Sequence, residues 1–223
     1  MHKNKLNPIA GGHSDKFITH GLIRPLLFNT TRRFTFAPAN SHSKIYIVKT
    51  LVVIIHPDMA HSVINKRWIA ELEKHPDQYT LHDLHQVYPD EKIDVEREQR
   101  LIEAHDKIIF QFPFYWFNCP PFFKKWLDEV LTHGWAYGTG SGYKMAGKKI
   151  ALGITAGINK ADYTPSGRYK YTLEQLTAPF EVTFNYVKAD YRPFFAFYGI
   201  EHQVPAEKMD ESAGEYRSFI ARL

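Results

Sequence analysis

From Thr50 onward the chain repeats one alternation five times: a short run of apolar or alternating residues, then a stretch whose apolar residues recur every three or four positions. Few folds accept that pattern. Strands apolar along their whole length must be covered on both faces, and strands separated by helices pair in parallel through right-handed crossovers. The spacing predicts strands at 50–55, 79–84, 107–112, 149–155 and 191–198, and helices at 62–74, 94–104, 120–131, 173–187 and 206–223. Ile64, Trp68 and Leu72 mark the buried stripe of the first helix; Phe123, Trp126, Leu127 and Val130 mark that of the third. Helix 94–104 reads as charged and exposed. The fold expected is α/β, a doubly wound five-stranded parallel sheet. A six-stranded dinucleotide fold is disfavoured, because no GxGxxG turn follows the first strand.

Charge divides the chain at the start of this pattern. Residues 1–47 carry seven Lys or Arg against Asp15 alone, while 48–223 carry 21 basic and 23 acidic residues. The overall charge of +4 therefore belongs to the front segment, and nucleic-acid binding by the body loses its main support. Three readings of 1–47 stand open: a targeting peptide, a basic arm that meets a partner, or residues upstream of a start at Val48. The expectation is a basic extension ahead of a 48–223 domain, native or not, ordered or not. A single cysteine, Cys119, excludes an internal disulfide framework and any cysteine-rich zinc module. No metal is expected, since His56, Asp58 and His61 have irregular spacing.

In doubly wound sheets ligands sit beyond the carboxyl ends of the strands near the point where strand order reverses, which directs attention to three loops. After the first strand come His56, Pro57, Asp58 and then Ser62, Val63, Ile64 and Asn65, at the start of a helix. Ser62 and Asn65, one turn apart, can both aim at an anion; Ser62 alone is more simply an N-cap. After the third strand come Pro113, Phe114, Tyr115 and Trp116, enough rings to wall a flat ligand or else to fill core. Cys119 reads as a small buried hydrophobe. After the fourth strand come Thr155, Ala156, Gly157 and Ile158, a turn whose amides can face a carbonyl or ring nitrogen, followed by Tyr163 and Tyr169. An anion cradle, an aromatic wall and an amide-lined turn together are the equipment for flavin mononucleotide (FMN).

These segments, with the run Pro120-Pro121-x-x-Lys124-x-Trp126-Leu127-Asp128 and the hexapeptide His133-Gly134-Trp135-Ala136-Tyr137-Gly138, resemble the flavodoxin-like NAD(P)H:quinone oxidoreductases, small bacterial branch. That branch includes the ancillary subunits of glutathione-gated potassium efflux systems. The resemblance spans nearly all of 48–223 and implies a flavodoxin-like sheet and FMN rather than FAD. It further implies two-electron transfer from NAD(P)H through the flavin to a quinone, and a homodimer in the cytoplasm, at the inner membrane face if it meets a transporter. It assigns His56, Ser62, Val63, Ile64 and Asn65 to the phosphate and ribityl chain. Pro113, Phe114, Tyr115 and Trp116 would wrap the ring, and Thr155, Ala156, Gly157 and Ile158 its polar edge. Tyr163 would be the catalytic hydrogen-bond donor. Larger members carry a histidine where this chain has Tyr169, a departure that bears on their proton relay. Trp135, Tyr137, Phe194, Phe195 and Phe197 agree with a shared apolar surface or with a filled core. The competing function is a flavin-binding regulatory subunit on a potassium-efflux transporter. An electron-carrier flavodoxin is disfavoured because the body is not strongly acidic.

Overall fold

The computed structural model describes residues 49–202 and 204–223. The expectations about 1–47 lie outside the described residues.

Five parallel strand positions form the sheet, in the order β2-β1-β3-β4-β5. Strand β1 (Thr50–Ile54) is flanked by β2 (Tyr79–Asp83) and β3 (Lys107–Pro113), and β3 pairs with β4 (Lys149–Ala156). The fifth position, expected as one strand, is two: β5 (Asp190–Tyr191) and β6 (Phe195–Tyr198), both paired with β4. Tyr191 lies opposite Ile150 and Phe195 opposite Gly153, so the fifth strand carries one residue more than its partner. Pro193, which has no N–H for the ladder, sits in that bulge.

Alternation within the strands divides the core in two. Leu51, Val53, Ile108, Phe110, Phe112, Leu152 and Ile154 face one side. There they meet α4 (Pro121–Val130) and α5 (Leu173–Tyr186), with α3 (Val95–Glu103) beyond them. Val52, Ile54, Ile109 and Ala151 face the other side, under α1 (Ile64–Glu73) and α6 (Ala206–Ala221). A short α2 (Leu84–Val87) follows β2. On the α6 side Gly153 is required: a Cβ there would lie 2.7 Å from the Tyr216 hydroxyl, and Tyr216 stacks on Trp68 at 4.2 Å. Helix α4 begins as its prolines predict, with Pro120 at the N-cap and Pro121 in the first turn.

Helix α3 is not the wholly exposed element its charges suggest. Glu98 is fully buried and accepts hydrogen bonds from His82 Nε2 (2.8 Å), Tyr88 Oη (2.7 Å) and Trp126 Nε1 (2.9 Å). Burial alone would raise its carboxyl pKa; the three donors hold it below the usual carboxylate value. His82 thus serves the fold, as a partner of the buried Glu98. The hexapeptide at 133–138 also serves architecture. Gly134 N–H reaches the Tyr137 carbonyl at 2.8 Å, and Gly138, at φ +102°, leaves room for the His133 ring. Trp135 donates to Glu103 at 2.7 Å. Trp135, Tyr137, Phe194, Phe195 and Phe197 all pack against the core, whereas Trp116, Val182 and Tyr186 are large apolar side chains left exposed.

Candidate functional site

Two cavities open at the carboxyl ends of β1, β3 and β4. One, about 310 Å³, is walled by His56, Ser62, Val63, Ile64, Asn65, Pro113 and Thr155. The other, about 500 Å³, is walled by Trp116, Phe117, Ile158, Tyr163 and Tyr169. Phe114, Tyr115, Gly157 and Glu201 line both, which makes them two ends of one trough, a polar end and an aromatic end. Of the residues the sequence assigns to the flavin, Ala156 alone lies off the trough; as the last residue of β4 it is buried in the core.

The polar end is built by a change of backbone direction. Asp58 closes a single 3-10 turn, Met59–His61, by accepting the His61 N–H at 3.3 Å and the His61 Nδ1 at 2.8 Å. Ser62 then stays extended (φ −69°, ψ 128°), and Val63 is the cap residue of α1. The expected Ser62 N-cap is therefore not formed: the helix starts two residues later than the pattern predicts, with no side-chain cap and no acid in its first turn. Among the described residues the amides of Val63, Ile64 and Asn65 have no acceptor. Such orphan donors, with the positive end of the helix dipole behind them, form an anion site. The Asn65 side chain does not aim at an anion. Its Nδ2 donates to Thr155 Oγ1 (3.0 Å) and its Oδ1 accepts from Gln111 Nε2 (3.1 Å). A buried amide has to find partners, and here they tie α1 to β3 and β4. Asn65 offers the cavity its backbone N–H instead. His56 accepts the Asp58 N–H on Nδ1 at 3.1 Å, which leaves Nε2 as the protonated nitrogen of a neutral ring. Burial lowers its pKa, opposed by Asp58 and reinforced by His85.

Side chains build the aromatic end. Phe114 N–H donates to the Thr155 carbonyl at 2.8 Å, and Tyr115 and Asn118 exchange two backbone bonds of 2.9 Å. The two residues between them, Trp116 (φ +49°) and Phe117 (φ +61°), occupy the left-handed region, where glycine or asparagine is the usual choice. Trp116 is 92% exposed. Phe117 packs edge-on against Tyr169 at 4.8 Å, closing the cavity between the β3 and β4 loops. Tyr163 is buried, its ring 5.3 Å from Tyr169 and 6.3 Å from Phe114. Burial first, then the neighbouring Tyr169, Glu201 and Asp162, push its phenol up to about 12. It stays protonated, a hydrogen-bond donor at any physiological pH. The amides of Gly157 and Ile158 have no acceptor among the described residues. Cys119 is half-buried beside this end, its thiol pushed up to about 11 by burial, in line with a small hydrophobe.

Glu201, next to Ile200, lines the trough from outside the three loops. Three backbone bonds lock its segment onto the β4 loop: Gly199 N–H to Ile158 O (2.9 Å), Ile200 N–H to Ala156 O (3.3 Å) and Glu201 N–H to Gly157 O (3.0 Å). A Cβ on Gly157 would lie 2.4 Å from the Glu201 carboxylate, so the glycine gives that side chain its place. The available signal was Gly199 at the carboxyl end of the fifth strand, where the same rule about strand ends applies.

The trough thus offers orphan amides at one end and, at the other, stacked rings with two free amides at their edge. A phosphate suits the first and a planar heterocycle with carbonyl and ring-nitrogen acceptors suits the second, so the residues present fit FMN.

Known proteins with related chains or folds agree with this geometry. The chain is 48% identical, over 155 residues covering 70% of it and 88% of the relative, to an uncharacterised NAD(P)H oxidoreductase of Bacillus subtilis. It is 41% identical, over 60% of its length and 72% of the relative, to an ancillary protein of the glutathione-regulated potassium-efflux system of Cronobacter sakazakii. Among solved structures, general stress protein 14 of Treponema denticola, in complex with FMN, superposes with a TM-score of 0.74 at 44% identity, over 78% of this chain and 98% of that one. A P. pentosaceus protein described as an NADPH-quinone reductase superposes with a TM-score of 0.71 at 27% identity, over 78% and 99%. Residues 48–220 match the family model for the flavodoxin-like fold, and the chain belongs to that family.

Proposed function

We propose that this protein is an FMN-dependent NAD(P)H:quinone oxidoreductase. The observation that carries the reading is the single trough joining the uncapped start of α1 to the ring cavity. FMN, when bound, supplies the carrier that takes a hydride equivalent from a nicotinamide and passes it to an acceptor. The protein's task is to hold and orient. Val63, Ile64 and Asn65 amides, with Ser62 and the His56 Nε2–H, hold the phosphate. Phe114, Tyr115 and Trp116 flank the ring system. The Gly157 and Ile158 amides face the edge where negative charge develops, and Tyr163 offers a proton-bearing phenol to that charge or to the acceptor oxygen. Among the described residues no Lys or Arg lines the aromatic end, and Glu201 is the only carboxylate there, which favours an uncharged acceptor such as a quinone. A second copy of the chain is proposed to cover the face bearing Trp116, Val182 and Tyr186. Among the described residues no helix is long and apolar enough to cross a membrane.

The experiment is an anaerobic titration of the FMN-loaded protein. NADPH or NADH bleaches the flavin absorbance, and a naphthoquinone restores it. A protein that takes up no FMN, or a loaded one that neither dinucleotide bleaches, contradicts the proposal. The second reading, a regulatory subunit on a potassium-efflux transporter at the inner membrane face, is favoured by the similarity to the ancillary proteins. It predicts co-purification with a transporter and loss of efflux on deletion, and it is compatible with catalysis.

A further inference from the structure

The aromatic end has a charge problem that the proposed reaction makes acute. A nicotinamide dinucleotide brings the two negative charges of its pyrophosphate, and NADPH adds a 2′-phosphate. Yet among the described residues the only charged side chain lining this cavity is Glu201, and Asp162 stands next to Tyr163. The nicotinamide can enter; its phosphates must stay at the mouth, where a cation has to meet them.

The segment between β4 and α5 supplies candidates. Lys160, Arg168 and Lys170 are exposed, and none forms an ion pair among the described residues. Elsewhere Arg100, Lys124 and Lys125 pair with acids one turn along their own helices. The segment is also fixed in place. Gly167 N–H donates to Thr164 O at 2.9 Å, and Tyr169 N–H donates to Asp162 O at 3.1 Å. A Cβ at Gly167 would lie 2.4 Å from the Ala161 carbonyl and 2.7 Å from that of Asp162, so only glycine lets the loop fold back this far. The fold-back brings Tyr169 into the cavity wall against Phe117. Its neighbour Arg168 lies against this wall residue, its guanidinium 5.7 Å from the Tyr169 ring centroid. Ser166, also exposed, stands two residues before Arg168 on the same folded-back loop. A guanidinium with an adjacent hydroxyl matches phosphate oxygens, because the planar fork donates two parallel bonds.

We infer that Arg168, with Ser166 and Lys170, forms a phosphate-docking rim for the nicotinamide dinucleotide at the mouth of the aromatic end. The inference rests on the function proposed above.

The test uses the FMN-loaded full chain, its Arg168→Gln variant and the Arg168→Gln/Lys170→Gln double variant. Rapid mixing with NADPH and with NADH gives the half-saturating concentration and the limiting rate of flavin bleaching. Calorimetry with ADP and with 2′,5′-ADP gives binding without turnover. Arg168→Gln is expected to raise half-saturation about tenfold while leaving the limiting rate unchanged. A loss confined to NADPH and 2′,5′-ADP assigns the rim to the 2′-phosphate; an equal loss with NADH and ADP assigns it to the pyrophosphate. Lys208→Gln, the same charge change on α6, is expected to have no effect. Unchanged half-saturation in both variants, or an equal effect from Lys208→Gln, overturns the rim. A wild-type protein that neither dinucleotide bleaches overturns the proposed function instead, so the two failures are distinguishable.

Discussion

At the polar end of the trough the groups that meet a ligand are chiefly main-chain amides at the start of α1, joined by Ser62 and the His56 ring, while the Asn65 side chain turns inward to Gln111 and Thr155. At the aromatic end the backbone recedes. Rings from Phe114, Tyr115, Trp116, Phe117, Tyr163 and Tyr169 make the walls, and two of them stand on strained φ angles. Backbone recognition depends on where a helix begins and tolerates many side chains; ring recognition depends on residue identity and tolerates small shifts of the backbone. The two ends should therefore fail in different ways when mutated.

The largest expected effect is on the polar end. Val63 is exposed at the N-cap of α1, so Val63→Glu puts a carboxylate among the amides meant for the phosphate. FMN affinity should fall about a hundredfold, read by fluorescence titration. The apo protein should keep its stability, because an acid at a helix start complements the dipole. Next, Asn65→Ala leaves Gln111 and Thr155 short of partners in the interior and should cost about 2 kcal/mol in urea unfolding. At the aromatic end, Tyr163→Phe should slow quinone turnover several-fold, up to about tenfold, with FMN affinity and stability unchanged. Unchanged turnover would remove the phenol from the chemistry. Trp116→Gly should do the reverse: relief of φ +49° at a fully exposed ring raises stability by about 1 kcal/mol while flavin binding weakens.

The smallest effect separates the ends by pH. The folded pKa of His56 lies below 6.5, so below about pH 6.5 the unfolded chain takes up a proton that the folded one refuses. Stability from this group is present above that pH and declines as the pH falls through the lowered value. His56→Gln should flatten the decline in thermal melts. The phenols of buried Tyr163 and half-buried Tyr198, both pushed up to about 12, add no slope in that range.

Legibility followed the same division. The strands were readable because β1, β3 and β4 are buried on both faces and their residues are mostly apolar. The aromatic wall was readable because it consists of side chains. The start of α1 was not, since Asp58 caps a 3-10 turn that periodicity does not register, and this turn displaces the helix past Ser62. Glu98 was hidden for a related reason: a charged helix looks exposed until His82, Tyr88 and Trp126, from three other segments, converge on it. Glu201 reaches the trough only through the pairing of 199–201 with 156–158, which local sequence does not encode.

The central claim is that the start of α1 grips a phosphate while the rings hold a flavin, and calorimetric titration of the apo protein with FMN and with riboflavin tests it most directly. The account predicts that FMN binds at least about a hundredfold more tightly than riboflavin, and that Val63→Glu erases the gap. Equal affinities for the two flavins in the unmodified protein would contradict it.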